Sequence, residues 1–480
     1  MAKVKVLPVV AIDGRYYDCD DATVPLDGIQ VRWGRSGLLA KPQPATAEIR
    51  LFDTTDDWKT RFTIGTVTDT VIGLPVSLQA NLYLDDSDTI HKSWTWFRGN
   101  ITNVSITDGP TDPATNRVIG RVVTIEATDP TAILGEVLNP SAYIPDAAWA
   151  QDETLLTRAN YLRNDALPFA GISEMFFKPT KQDFWCSSVT LTDKTVGSLV
   201  DEFYTSQAAV ACYSPKDNCI RDGQQFNGTT LTSWYRFTDG YIHIAPNENP
   251  RIGAYGTDTD RYYGTSISGA KVSESGGDVS RSAEQGINTW TVRYWSRERN
   301  QDWHRTLMYA GTEYHPRKSW ELSTWLENDV DVQVIVDEMD TMIHRPLRAP
   351  THPSVNFNTG NNNSGFESVV QAMNLVMAGE RQFLLYVSGS PWTEYTSLTP
   401  MFGVVGGVIR LENQQWDIDL QLQHYSTDYP AYDNAKWSTL PSSLDWGDIP
   451  ECDDKLEHGI SWWDTRFVHQ AATIRTNADD

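Results

Sequence analysis

Apolar and polar residues alternate along much of the first 130 residues. In "ATAEIRLFD", Ala45, Ala47, Ile49 and Leu51 share one face and Thr46, Glu48 and Arg50 the other, the period of two that marks a half-buried strand. "GLPVSLQANLYL", "SWTWFRGNITNVSI" and "RVVTIEATD" continue the pattern, with Asp, Gly and Pro clusters between them. Short strands at this spacing predict a small antiparallel barrel. "DPTAILGEVL" predicts a short helix closing the unit, with Asp129 as N-cap and Pro130 in the first turn.

The period then changes. In "DETLLTRANYLRNDALPF", Leu155, Ala159, Leu162 and Ala166 fall on one helical face, with acids expected in the first turn and Pro168 and Gly171 as the stop. "TVGSLVDEFYTSQ" repeats the logic with Val196, Leu199, Val200 and Phe203, and "YIHIA" offers a strand after the Asp239–Gly240 turn. Alternation returns in "NTWTVRYW", in "DVDVQVIVDE" and most cleanly in "QQWDIDLQLQHY", where Trp416, Ile418, Leu420 and Leu422 oppose Asp417, Asp419, Gln421 and Gln423. "NTGNNNSG" reads as a loop. The hairpin ending in "WDIDLQLQHY" echoes the one formed by "RGNITNVSITDG" and "RVVTIEATD", which suggests two β units of related plan.

The sequence therefore predicts a mainly β chain with an α/β insertion: a first β-barrel over 1–135, an α/β insertion over 136–265, a second barrel over 266–430, and an extended arm over 431–480. In the arm, Trp437, Trp446 and the Trp462–Trp463 pair punctuate a Pro- and Asp-rich stretch with no period of its own. Such a segment has to borrow its order from a surface, with the indoles as anchors.

Composition narrows the function. A net charge of −24 argues against broad nucleic-acid binding, which needs Lys and Arg to neutralise phosphates. Five widely spaced cysteines and nine scattered histidines form no zinc or disulfide pattern, although a local Cys212–Cys219 bridge is conceivable. Reduced thiols suit assembly in a cytoplasm. The N-terminus lacks a signal-peptide h-region, and the longest apolar run, "MFGVVGGVI", is far below the roughly 20 residues of a membrane helix, so a soluble chain is expected. HExxH, GxSxG and P-loop patterns are missing, so no catalytic, cofactor or metal residues are assigned and no enzyme activity is expected.

One stretch stands apart: "VRWGRSGLLAKPQPATAEIRLFDTTDDW", residues 31 to 58, a marked corner and proline bend between strands without a nucleophile or ligand. It resembles the N-terminal barrel of minor tail proteins, the baseplate hubs, of long-tailed actinobacteriophages. "TVGSLVDEFYTSQAAVACY", "INTWTVRYW", "WDIDLQLQHY" and the Trp-spaced arm resemble later parts of the same family. The resemblance implies two tube-like barrels per chain, similar to the contractile-phage hub fold. A homotrimer would then match a sixfold tail tube above and a threefold tip below. It further implies contacts with the distal tail protein, the tape measure protein and other minor tail proteins, fibres or adhesins. DNA would meet it only in transit, and its place would be the virion tail tip, after assembly in the host cytoplasm. Under that reading Arg32, Trp33, Arg35, Trp58, Trp437, Trp446, Trp462 and Trp463 are interface candidates. Two rivals remain: the hexameric distal tail protein, and a tip adhesin that binds host glycans through exposed Trp platforms.

Overall fold

The computed structural model describes residues 4–35, 41–58, 60, 71–84, 89–136, 148–177, 181–192, 194–222, 242–244, 271–272, 289–308, 319–343, 354–359, 369, 373, 382–387 and 401–425. The alternating segments pair into one antiparallel sheet. Its path runs Gln415–Tyr425, Met401–Glu412, Leu26–Gly34, Gln43–Asp53, Arg121–Thr128, Lys92–Asp108, Pro75–Leu84 and Val4–Ile12. The inward positions are those the period of two selects: Ile49, Leu51, Leu78, Val123, Ile125, Ile409 and Ile418 are all fully buried.

The sheet curls until its two ends share that core. Val6 and Val10 of the last strand on the path lie in the same apolar cluster as Trp416, Ile418 and Leu420 of the first. Trp416 joins the ends through its side chain. Its indole Nε1 donates to the Val6 carbonyl at 2.9 Å, and its ring meets Trp96 edge-on at 5.5 Å between centroids. The two ends of the sheet thus meet through a side chain rather than a backbone ladder, around an interior filled by side chains. Beyond the seam the sheet continues through Ser354–Asn358 to Lys271–Val272, and Gln382–Val387 pairs with the Met401 end.

A second core gathers the helices. Thr154 caps the helix Leu155–Tyr161 by accepting from the Thr157 N–H. The expected acids of its first turn, Asp152 and Glu153, lie just before it. The chain continues through a π-turn, Leu162–Ala166, and a 3-10 turn, Leu167–Ala170, to a left-handed Gly171. Leu155, Ala159, Leu162 and Ala166 are buried as their spacing predicts, as are Val196, Leu199, Val200 and Phe203 of the helix Val196–Thr205. Thr289–Ser296 forms a three-stranded sheet with Gln301–Met308 and Ser319–Ser323, burying Trp290, Val292 and Tyr294.

Several expectations change. "DVDVQVIVDE" belongs to a helix, Asp329–Ile343, not a strand. Val332, Ile335 and Val336 are buried while Val330 and Val334 face solvent, so tertiary burial at helical spacing overrides β-branched propensity. Among the described residues the hairpin 401–425 pairs into the N-terminal sheet, and 290–336 packs with the helical core rather than with residues 401–425. The four described cysteines form no disulfide with one another: strand pairing sets Ser214 opposite Cys219 and Arg221 opposite Cys212. "NTGNNNSG" beyond Thr359, Leu422's side chain, Cys452 and the whole arm lie outside the described residues.

Candidate functional site: the Arg32–Arg35 corner

The corner is where three strands meet. Leu26–Gly34 lies between Gln43–Asp53 and Met401–Glu412; its pairing with Gln43–Asp53 slips at the corner, between Arg32 and Gly34, and the pairing of Met401–Glu412 with Gln415–Tyr425 slips nearby, between Val404 and Gly406. Gly34 adopts φ +115°, and a Cβ there would sit 2.2 Å from the Gly406 Cα and 2.4 Å from the Val405 oxygen. Only glycine allows that approach. Arg35 N–H then donates to the Val405 carbonyl at 3.0 Å. Gly407 lies beneath the Trp33 indole: a Cβ there would meet Trp33 Cη2 at 2.9 Å and the Asp419 oxygen at 2.3 Å. The "WGR" of the corner and the "VGG" some 370 residues later are therefore one structural element.

The strand after the bend ends in a second device. Asp53, fully buried, accepts from the Thr55 N–H and hydroxyl at 2.8 Å each and from the Trp58 N–H at 2.9 Å. This folds "DTTDDW" back so that Trp58 plugs the barrel core beside Tyr17. Trp58 is thus a core residue with no exposed surface to offer a neighbour. Arg35 is buried, Trp33 is half-buried over Gly407, and Arg32 is exposed. Trp437, Trp446, Trp462 and Trp463 lie outside the described residues.

The outward face of the sheet is polar. Cross-strand register sets Arg410, Gln30, Glu48 and Glu126 in one row. Arg410 Nη1 pairs with Asp417 at 3.1 Å and Asp419 at 2.7 Å, and these two carboxylates hold its pKa above the ordinary arginine value. Asn356 Nδ2 donates to the same two carboxylates at 2.7 and 2.6 Å. Arg50 pairs with Glu412 at 3.2 Å. On the strands Leu26–Gly34, Gln43–Asp53 and Arg121–Thr128 and the 401–425 hairpin, six acids (Asp27, Glu48, Glu126, Glu412, Asp417, Asp419) stand against three arginines (Arg32, Arg50, Arg410) on this face.

The corner also faces the helical core. Lys41 forms an ion pair with Asp201 of the helix Val196–Thr205. A cavity of about 240 Å³ lies between the two cores, lined by Trp33, Pro44, Trp96, Arg98, Asp129 and Tyr213 among others. Asp129 ties the barrel to the helix Thr131–Glu136, accepting from the Ala45 N–H at 2.7 Å and the Thr131 N–H at 2.9 Å. Burial raises its pKa against the pull of those donors, and burial together with Asp129 pushes the Tyr213 phenol up.

Sequence reasoning missed Gly406, Gly407, Asp53 and Arg410. The Gly–Gly doublet inside "MFGVVGGVI" was the available signal, because an apolar strand tolerates two glycines only where something approaches closely. Among the described residues no cluster of three or more His, Cys, Asp or Glu is placed to hold a metal, and no helix is long and apolar enough to cross a membrane.

Fold and corner together define a class: a mainly β scaffold whose distinctive residues shape backbone. No protein-family model matches the chain, and no curated protein matches it. Among solved structures the chain is similar to the tail protein from Neisseria meningitidis MC58, at 9% identity and a TM-score of 0.45, covering 87% of this chain and 96% of that one. It is also similar to the 43 kDa tail protein of prophage MuSo2 from Shewanella oneidensis, at 10% identity and a TM-score of 0.46, covering 88% and 98%. A third is an E. coli type VI secretion component described as structurally similar to the T4 tail proteins gp27 and gp5, at 10% identity and a TM-score of 0.40, covering 87% and 77%.

Proposed function

We propose that this chain is a structural virion protein of a phage tail tip: a hub of three copies that joins a sixfold tail tube to a threefold tip and lines the DNA exit channel. The corner carries the reading. The segment that resembles the start of actinobacteriophage hubs is spent on sealing a barrel, through Gly34 against Gly406, Trp33 over Gly407, and Asp53 folding Trp58 inward. The reading assigns this segment to architecture, and the chain to no enzymatic role.

The polar sheet face serves as the channel wall. Its excess of acids over arginines keeps DNA phosphates off a surface they must slide past. Glu48 stands outward there, while Asp417 and Asp419 share the single positive charge of Arg410 and keep a net charge of about −1 between them. The continuation of the sheet past the Trp416 seam is where a second tube-like unit is built. The partners are two further copies, the distal tail protein, the tape measure protein and tip fibres or adhesins. The arm clamps the hub through Trp437, Trp446, Trp462 and Trp463.

One observation favours a second reading. The 401–425 hairpin completes the N-terminal barrel, so the described residues hold a single sealed barrel, as a hexameric distal tail protein would. Electron-microscopic reconstruction of the assembled tail tip separates the two. Three copies at the junction support the hub, and six in one ring move the chain to the distal tail position.

A further inference from the structure

The helical core carries an open groove that the tail reading does not use. One face of its three-stranded sheet is buried by Trp290, Val292, Tyr294 and Leu322. The other presents Arg293 opposite His304 and Trp295 opposite Asp302. With Ser188 and Thr190 on one side and Lys194, Glu202 and Trp325 on the other, this face bounds a groove of about 660 Å³. Trp303, set by register opposite Tyr294 and so on the sheet's other face from Trp295, borders the groove at the edge strand and is 38% exposed. Its ring is held in place: the Arg299 guanidinium lies 4.7 Å from the ring centroid, and the His304 ring stacks at 6.0 Å, tilted by 26°.

The groove's charges are mostly spent on each other. Arg293 pairs with Glu321, with Nη2 to Oε2 at 3.2 Å. Glu202 pairs with Lys194 and accepts from the Trp325 indole at 2.8 Å. The Asp302 carboxylate and the Ser188 and Thr190 hydroxyls make no side-chain hydrogen bond to another described residue. The surface thus combines one partly exposed indole, Trp295, with a second, Trp303, at its edge, uncommitted neutral hydroxyls, one open carboxylate, and a charge balance that offers a polyanion nothing.

We infer that this groove binds a neutral oligosaccharide. The C–H face of a pyranose is apolar and lies flat on an indole, which loses little entropy because it is already fixed. The sugar's hydroxyls, both donors and acceptors, meet a carboxylate that only accepts and hydroxyls that do either. The volume falls within the range of about 300–1,000 Å³ typical of small-ligand sites. Phosphate-bearing polymers are disfavoured because Arg293 and Lys194 are already paired.

The test uses the full chain, with maltotetraose and N-acetyl-chitotetraose as probes, followed by Trp fluorescence and calorimetry. Saturable binding of at least one sugar is expected, with a Kd between about 10 μM and 1 mM. Trp295→Ala and Trp303→Ala should each weaken it roughly tenfold or more, and Asp302→Asn several-fold. Tyr16→Ala, on the exposed hairpin of the barrel, should leave it unchanged. Trp303 projects from an edge strand, so its loss leaves the fold intact even if Trp295→Ala disturbs packing. Absence of saturable binding for both sugars at roughly 10 mM overturns the inference, as does binding indifferent to both Trp substitutions. Neither result bears on the hub reading, which rests on the corner and is tested by particle symmetry.

Discussion

Replacing Gly34 by alanine should unseal the barrel at its corner. Two costs arise, and the structure separates them. The first is conformational: φ +115° is disfavoured for any residue with a Cβ, at about 1–3 kcal/mol. The second is contact. The new methyl would lie 2.2 Å from the Gly406 Cα and 2.4 Å from the Val405 oxygen, both backbone atoms that cannot rotate aside. The strand Met401–Glu412 must withdraw, which strains packing by about 1–3 kcal/mol. It also gives up the Arg35–Val405 bond, worth about 0.5–1.5 kcal/mol. The total is about 2.5–7.5 kcal/mol. Gly14 is the control: it too has a positive φ, +77°, but nothing lies within 4 Å of its would-be Cβ. Gly14→Ala should cost only the backbone share, about 1–2 kcal/mol. Two cores make a single unfolding transition an unsafe readout, so amide hydrogen exchange in Leu26–Gly34 and Met401–Glu412 is the assay. Gly34→Ala should raise exchange in both strands far more than Gly14→Ala does anywhere. Equal effects would refute the claim that the corner is fixed by contact between chain-distant glycines.

Asp53→Ala removes the acceptor of three hydrogen bonds and should cost about 2–4 kcal/mol, seen as exposure of Trp58 by fluorescence quenching. Arg158, fully buried, lies 5.3 and 5.2 Å from the Trp149 and Trp325 ring centroids, and donates to the Ser187 and Ala150 carbonyls. Arg158→Met strands those acceptors and should destabilise the helical core by about 3–5 kcal/mol, raising exchange over 155–166 while Gln43–Asp53 stays protected. Asp129 has a folded pKa above the ordinary 3.8 because of burial, so the folded state binds its proton more tightly and this group's contribution to stability falls as pH rises through that window. Asp129→Asn should flatten that slope, and parallel pH–stability curves for the two proteins would contradict it. A chain ending at residue 430 should keep the barrel's protection, whereas one ending at 400 loses the hairpin that pairs with Leu26–Gly34 and should aggregate through the bared edge.

Local periodicity was legible where one face of an element meets a core. Ile49 and Leu51, Leu199 and Phe203, and Trp416 and Ile418 are all buried as their spacing demands. It failed at "DVDVQVIVDE", where Val330, Val332, Val334 and Val336 satisfy a period of two over a run too short to tell from a helix. Ile335, buried and out of phase with that alternation, was the overlooked clue. The corner was visible as an oddity but not as a contact. Nothing near Gly34 announces that its partner is Gly406, because close approach leaves a mark on each glycine separately and none on their pairing.

That pairing also explains the separation of functions along the chain. The strands that complete the barrel come from residues 401–425, after the helical core has been inserted between them and the N-terminal sheet. The inserted core is anchored at few places, among them the Lys41–Asp201 ion pair and Asp129 reaching the Ala45 N–H. Its own sheet pairs with none of the N-terminal sheet's strands and leaves Trp295 and Asp302 open while Arg293 is held by Glu321. A scaffold organised this way keeps its sealing residues and its open groove on different cores. Substitutions in the groove leave Gly34, Trp33 and Asp53 untouched, so the sealing residues set the shape of the barrel independently of whatever the groove binds.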